Sequence, residues 1–258
     1  MTRVSVLILA GQREGVVDPL CADTGAARKA LIPILNRPMI GYVLRALEAA
    51  KLQTPFHVSG CPADVDERLV DAPSAAGPAG SAMAALTSGI NFPVLMTTAD
   101  HPLLMANMVT EFITKSQASG ADFCLGLAEE AIISPAYPDV KRTYLRFSDR
   151  AVSGCNLFYI ANEQGLAAIE FWKDAQHFRK QPFKLARKIS LPLFWRYSRG
   201  KLTLDAALAY ASKTLNITAA PILMSDAEAA IDVDKPSDRD LVEDILTKRG
   251  GYGAEPHS

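Results

Sequence analysis

Apolar residues in this chain fall in short continuous runs, separated by stretches where they recur at helical spacing. Val4 to Ala10 (VSVLILA) is an apolar, β-branched run closed by Gly11, the pattern of a strand buried on both faces. A polar, irregular loop follows from Gly11 to about Arg28. From Pro38 to Lys51, Ile40, Val43, Leu44 and Leu47 sit at helical spacing behind a first-turn proline. Phe56 to Ser59 reads as a short strand. A helix is expected over Ala79 to Ser88, after a Gly-Pro-Ala-Gly turn. Phe92 to Thr98 (FPVLMTT) is again a strand, ending at Ala99-Asp100-His101-Pro102. Asn107 to Ser119 reads as a helix and Asp122 to Leu127 as a strand.

Strand and helix signals alternating at this spacing imply βαβ units and a mostly parallel sheet. In such sheets ligands sit beyond the carboxyl ends of the strands. Two of those ends, Gly11 and Asp100, carry the residues with the most suggestive chemistry. Further on, Val152 to Ala161 reads as a strand, Leu204 to Leu215 as a helix, and Ile217 to Met224 as a strand candidate. Ser237 to Lys248 closes the pattern as a helix with Ser237 as a candidate cap. Residues 250–258 form a polar tail, which leaves 1–249 as one expected domain.

Composition narrows the class. The 258 residues are 49% hydrophobic with a formal net charge of −1, enough apolar material for a native core. Near-neutral charge argues against a dedicated nucleic-acid binder, which is basic over a whole face. The four cysteines, Cys21, Cys61, Cys124 and Cys155, include no Cys-x-x-Cys pair and fit reduced cytosolic thiols better than a disulfide framework or zinc site. No apolar stretch approaches the roughly 20 residues of a membrane span. The expectation is a soluble, cytoplasmic protein. One segment stands apart electrostatically: from Lys173 to Lys201, nine basic residues face one acid, Asp174, with Trp195, Phe178, Phe183, Phe194 and Tyr197 interleaved and Trp172 just beside it.

Candidate chemistry gathers in four places. The first is Leu9-Ala10-Gly11-Gln12-Arg13, followed by Arg28-Lys29-Ala30-Leu31-Ile32-Pro33 and Arg37-Pro38-Met39-Ile40. A glycine directly after a buried strand lets backbone N–H groups approach a phosphate chain, and nearby Arg and Lys supply countercharge. The second is Gly77-Pro78-Ala79-Gly80-Ser81, a turn of small residues. In the third, Asp100-His101-Pro102-Leu103-Leu104, a carboxylate stands at a strand's carboxyl end, a hard oxygen ligand suited to Mg²⁺; the alternative is that Asp100 caps the next helix. The fourth is Asp232-Val233-Asp234-Lys235-Pro236-Ser237-Asp238, where strand alternation would put Asp232 and Asp234 on one side.

Taken in order, these elements resemble the nucleotidyltransferase superfamily, whose members include sugar-1-phosphate nucleotidyltransferases and MobA-like NTP transferases. Its opening signature is L-A-G-G-x-G-x-R, then K-x-L-x-P-x-x-x-x-P-M-I; here Gln12 replaces a glycine, while Lys29, Leu31, Pro33, Pro38, Met39 and Ile40 fall in register. The resemblance implies a single GT-A-like (Rossmann-like), three-layer α/β/α domain. It implies transfer of an NMP from an NTP to a phosphorylated small-molecule acceptor with release of pyrophosphate. By the same resemblance, Leu9, Ala10, Gly11, Gln12 and Arg13 hold the nucleotide's phosphates, and Gly77, Pro78 and Ser81 the base. Lys29 meets the α-phosphate, and Asp100 and Asp234 ligate Mg²⁺, with Asp232 as the alternative to Asp234. Gly154 and Asn156 lie where relatives bind the acceptor, although a Ser-Gly-Cys-Asn run is also a plain strand edge.

Two other functions remain open at this level. A glycosyltransferase of the same architecture uses an Asp-x-Asp pair, which Asp232-Val233-Asp234 matches in letters. A non-catalytic nucleotide-binding protein is suggested by Gln12. The basic, aromatic stretch, an insertion at about 165–215, is either a solvated face or the acceptor side of the cleft. In the latter case Lys184 and Arg187 meet an anionic acceptor, with weak attraction to an anionic membrane surface as a variant. The base, the acceptor and the oligomeric state are not legible.

Overall fold

The computed structural model describes residues 3–12, 18–138, 140, 142–177 and 191–250. Ten strands and nine helices longer than a single 3₁₀ turn are seen among them. β1 (Ser5–Leu9), β4 (Phe56–Ser59), β5 (Leu69–Ala72), β6 (Val94–Thr98), β7 (Phe123–Glu129), β9 (Ala151–Ile160) and β10 (Ala219–Leu223) make one sheet in the order β10-β7-β9-β6-β1-β4-β5. Every neighbour pair is parallel except those of β9, which runs antiparallel to both β6 and β7. The short strand β8 (Leu145–Arg146) pairs with the start of β9. Because β9 is reversed, its first residues lie beside the carboxyl end of β7, where Glu129 pairs with Val152.

Alternation along each strand explains the layers. On β1, Val6 and Ile8 join a core with α2 (Met39–Ala49) and α4 (Ala106–Ser119), through Val43, Leu44, Leu47, Met108 and Phe112. Leu7 and Leu9 point the other way, onto Ala82, Ala85 and Leu86 of α3 (Gly77–Leu86) and Ile169 of α6 (Leu166–His177). A strand covered on both faces needs apolar side chains at every position, and VLIL supplies them. The chain is thus a three-layer α/β/α fold with a mostly parallel sheet.

A third apolar cluster lies off the sheet and matters most for the site. Leu20 and Cys21 of α1 (Pro19–Thr24), Ile32, Ile34, Met39, Ile231, Val233, and Val242 and Ile245 of α9 (Pro236–Lys248) pack together there. This knot ties the segment carrying Lys29 to the segment carrying Asp232 and Asp234, roughly 200 positions further along the chain. Between Lys29 and α2 the chain makes a two-residue hairpin, β2 (Pro33–Ile34) with β3 (Arg37–Pro38). Its loop residues Leu35 and Asn36 both have positive φ (44° and 63°), as a turn matching the strands' twist requires.

Several boundaries differ from the sequence reading. The loop expected from Gly11 to Arg28 contains α1, with Asp18 as its N-cap accepting from the Leu20 N–H. The last helix is capped by Asp238 rather than Ser237: the Asp238 carboxylate accepts from the N–H groups of Asp234 and Lys235. A carboxylate three residues into the helix serves those donors better than a hydroxyl inside the first turn. α5 (Glu130–Ala136) and β5 are too short, at seven and four residues, for a period to announce them. From 191 the basic segment holds α7 (Leu191–Ser198), and α8 (Leu204–Leu215) follows it. Its two tryptophans part company. Trp172 stacks on Phe158 of the sheet, whereas Trp195 is 55% exposed with Arg199 over its ring. Among the described residues, no helix is long and apolar enough to cross a membrane.

Candidate active site

The carboxyl ends of β1, β4 and β6 meet at one edge, and two glycines decide its shape. Gly11 follows β1 and Gly60 follows β4. Gly60 has φ 90°, and a Cβ built on it would fall 2.4 Å from the Gly11 Cα. Only glycine fits there, because both the left-handed backbone and the backbone-to-backbone approach exclude a side chain. The Gly60 carbonyl accepts from Arg28 Nη1 at 3.0 Å, and Gln12 Oε1 accepts from the Lys29 N–H at 3.2 Å. The side chain of Gln12 therefore ties the post-β1 loop to the segment that carries Lys29.

Lys29 is the centre of the arrangement. Its ammonium donates to Asp100 Oδ2 at 2.7 Å and to Asp234 Oδ1 at 2.8 Å. The Lys29 and Asp100 side chains are 15% and 20% exposed, while Asp234 is 68% exposed. Burial opposes the lysine charge, but the two carboxylates outweigh it and hold the ammonium above its ordinary range. Asp100 Oδ1 is buried and takes no hydrogen bond. The two acidic loops are also joined by backbone: the Val233 N–H donates to the Asp100 carbonyl at 2.9 Å. Asp100 caps no helix, since α4 begins only at Ala106 with Met105 before it.

Asp232 and Asp234 find different partners. The segment forms no strand. Both Asp232 oxygens are engaged, Oδ1 with Arg142 Nη1 at 2.5 Å and Oδ2 with Asn156 Nδ2 at 2.9 Å. Asn156, expected at the acceptor, spends its amide on this carboxylate from a left-handed conformation (φ 52°). Beneath them His101 is buried, with Nε2 facing the Glu228 carbonyl at 3.2 Å. Burial pushes its imidazole down to about 4, against the pull of Asp232 and Asp100, so it is neutral at pH 7 and donates from Nε2 to that carbonyl. Arg142 was not foreseen in the sequence; no motif surrounds it.

The remaining expected residues divide clearly. Leu9 and Ala10 are buried and carry the sheet into the loop, with Gly11 and Gln12 exposed. Gly77 opens α3 with φ 73° and Pro78 in its first turn. The Ser81 hydroxyl is turned to backbone, donating to the Ala75 carbonyl at 2.9 Å and accepting from the Ala75 N–H at 3.1 Å. It holds the turn in shape instead of facing outward. Gly154 is exposed on β9 with open space beyond it. Arg13, Lys184 and Arg187 lie outside the described residues.

A profile of the MobA-like NTP transferase domain matches residues 21–198. The chain belongs to the MobA-like NTP transferase family. It is therefore a nucleotidyltransferase acting on an NTP, which decides against the glycosyltransferase and non-catalytic readings. Solved structures agree on the fold. A hypothetical transferase from Thermus thermophilus is 26% identical with a TM-score of 0.78, over 92% of this chain and 100% of that one. A 2-C-methyl-D-erythritol 4-phosphate cytidylyltransferase, also from Thermus thermophilus, is 16% identical with a TM-score of 0.52, over 95% and 98%. A CMP:2-keto-3-deoxy-manno-octonic acid synthetase complexed with CTP is 12% identical with a TM-score of 0.54, over 96% and 99%. No curated protein matches the sequence.

For a divalent cation, this MobA-like transferase offers Asp100 and Asp234. Among the described residues no cluster of three or more His, Cys, Asp or Glu side chains gathers around one point. Two carboxylates, one with a buried oxygen lacking any partner, fit Mg²⁺, which takes one or two protein carboxylates and leaves the rest to water and phosphate. Asp232 fits less well, because both of its oxygens are already engaged, by Arg142 and Asn156. We expect Asp234→Ala to be the more damaging change to turnover, with the urea midpoint nearly unmoved. Asp232→Ala leaves Arg142 without its partner and costs on the order of 2 kcal/mol in stability. Parallel turnover and urea-unfolding measurements on both variants check this split.

Proposed function

We propose that this nucleotidyltransferase carries an NMP from an NTP to a phosphorylated small-molecule acceptor in a Mg²⁺-dependent reaction that releases pyrophosphate. The observation that supports it most is the Lys29 ammonium held between Asp100 and Asp234, beside paired glycines at the carboxyl edge of the sheet. An acceptor phosphate oxygen attacks the α-phosphorus, the bond from α-phosphorus to the bridging oxygen breaks, and that oxygen leaves with pyrophosphate. The nucleophile is already an anion, so no strong general base is needed, and a neutral, buried His101 is not asked to serve as one. The work is positioning and charge neutralisation.

Lys29 supplies positive charge to the α-phosphate and the incoming acceptor. The close Gly11–Gly60 contact leaves the loop free of side-chain bulk where the phosphate chain runs. Arg13 serves the β- and γ-phosphates, as the family resemblance implies. The small-residue turn at Gly77 and Pro78 lets a base lie against backbone, with Ser81 bracing the turn. Asp100 and Asp234 would hold Mg²⁺, whose charge would neutralise the triphosphate. The acceptor is assigned to the exposed Gly154 of β9, and Lys184 and Arg187 are offered, from the sequence's charge alone, as its anion-binding residues.

The test is a pyrophosphate-release assay over four NTPs against a panel of phosphorylated sugars, polyols and amino-alcohols, with Mg²⁺ and with EDTA. One NTP should turn over with one acceptor class, only with the metal. Turnover of a non-phosphorylated acceptor, or full activity in EDTA, overturns the corresponding part of the reading.

A further inference from the structure

We infer that Lys29 is a built-in counter-ion that occupies the cation position of the nucleotide-free site, so that a divalent metal and the Lys29 ammonium compete for the same two carboxylates. The inference rests on the proposed Asp100–Asp234 metal pair and adds an order of events to it. Nζ lies 2.7 Å from Asp100 Oδ2 and 2.8 Å from Asp234 Oδ1. These are charge-assisted contacts at full strength. A metal gathered by the same carboxylates would have a fixed positive charge at its shoulder, a few Å away, well inside the distance over which salt screens charges.

The surroundings make the lysine hard to displace by metal alone. Its side chain is mostly buried, its backbone N–H is held by Gln12, and the next residues are locked into the cluster under α9. What can draw the ammonium out is a stronger anion arriving in front of it. A triphosphate does so and brings its own metal. The carboxylates are thereby kept together and neutralised between turnovers, and free metal does not load the site ahead of the nucleotide. The same side chain then acts twice: it holds the acidic pair while waiting, and moves onto phosphate during reaction.

Mn²⁺ binding to the nucleotide-free protein, followed by the electron paramagnetic resonance of free Mn²⁺, tests this without any turnover. Lys29→Met keeps the length of the side chain and deletes the charge. It should bind Mn²⁺ at least about tenfold more tightly than the wild type, as expected when a cation a few Å from the metal is removed. Lys29→Arg, which keeps the charge, should bind as weakly as the wild type, and Asp234→Asn added to Lys29→Met should abolish the gain. Mn²⁺ should also raise the Tm of Lys29→Met more than that of the wild type. If Lys29→Met does not fold, Lys29→Gln serves the same comparison. Equal Mn²⁺ affinity with and without the lysine charge overturns the counter-ion role while leaving the metal pair intact. Absence of Mn²⁺ binding to every variant overturns it too, and the metal pair falls with it only if turnover is also unaffected by EDTA.

Discussion

Under the proposed roles, Lys29→Ala is expected to lower pyrophosphate release at least about 100-fold by removing positive charge from the reacting phosphates, and Asp100→Asn to do the same by weakening the hold on the metal; one such contact typically costs roughly 3 kcal/mol. The two variants differ in a second measurement. Lys29→Ala leaves Asp100 and Asp234 facing each other without the ammonium that now bridges them. It should therefore lose stability as well as rate, and the loss should shrink at strongly alkaline pH, where the wild-type ammonium, held above its ordinary range by the two carboxylates, would itself give up its proton. Asp100→Asn keeps a hydrogen-bond acceptor for Lys29 and should fold with near-wild-type stability. Steady-state kinetics at saturating NTP, beside thermal unfolding, separates the effects. Wild-type turnover by either variant in saturating Mg²⁺ would falsify its assignment.

Gly60→Ala is expected to be among the most destabilising single changes near the site. A left-handed backbone costs an L-residue about 1–2 kcal/mol, and forcing a methyl into filled space adds about 1–3 kcal/mol. The added carbon would lie 2.4 Å from the Gly11 Cα and 2.6 Å from its nitrogen, and neither is the end of a flexible side chain. A loss of roughly 3 kcal/mol follows, a large share of the 5–15 kcal/mol that holds a typical domain. Gly11→Ala is the informative partner. Its Cβ would meet only the Gly60 Cα, at an ordinary 3.9 Å. Gly11→Ala should therefore change the urea midpoint little while raising the KM for the NTP, if the loop's bare backbone faces the phosphates. Urea unfolding and NTP titrations on the pair check both statements.

Much of this architecture was legible because the strongest signals are local. The run VSVLILA becomes β1, and the spacing of Ile40, Val43, Leu44 and Leu47 becomes α2, buried on that face. The Leu204–Leu215 helix and the Phe56–Ser59 strand fall on the bounds read from the pattern. What escaped is short or context-dependent. α1 spans six residues in a polar stretch, and β5 has only Leu69 buried, too few positions for a period to emerge. The antiparallel direction of β9 was equally silent, since an apolar run does not record which way its neighbours point. Gly60 did carry a readable signal, a glycine closing an apolar strand as Gly11 does, but its significance arises only when β1 and β4 lie side by side.

By itself, then, the sequence determined the class of fold and the family, and it singled out Lys29, Asp100 and Asp234, because motif order and hydrophobic period survive without coordinates. Tertiary structure decided which side chains meet: those three are in contact. Asp232 and Asp234 are equivalent in letters and two positions apart. Yet one is enclosed by Arg142 and Asn156 and the other stands open against Lys29. That difference comes from packing: Val233 between them is buried in the cluster under α9 and bonded to the Asp100 carbonyl, which fixes the directions in which its two neighbours project. The ammonium placed between two carboxylates is likewise a product of the same knot, in which segments far apart in the chain bury apolar surface together and bring their charges into contact.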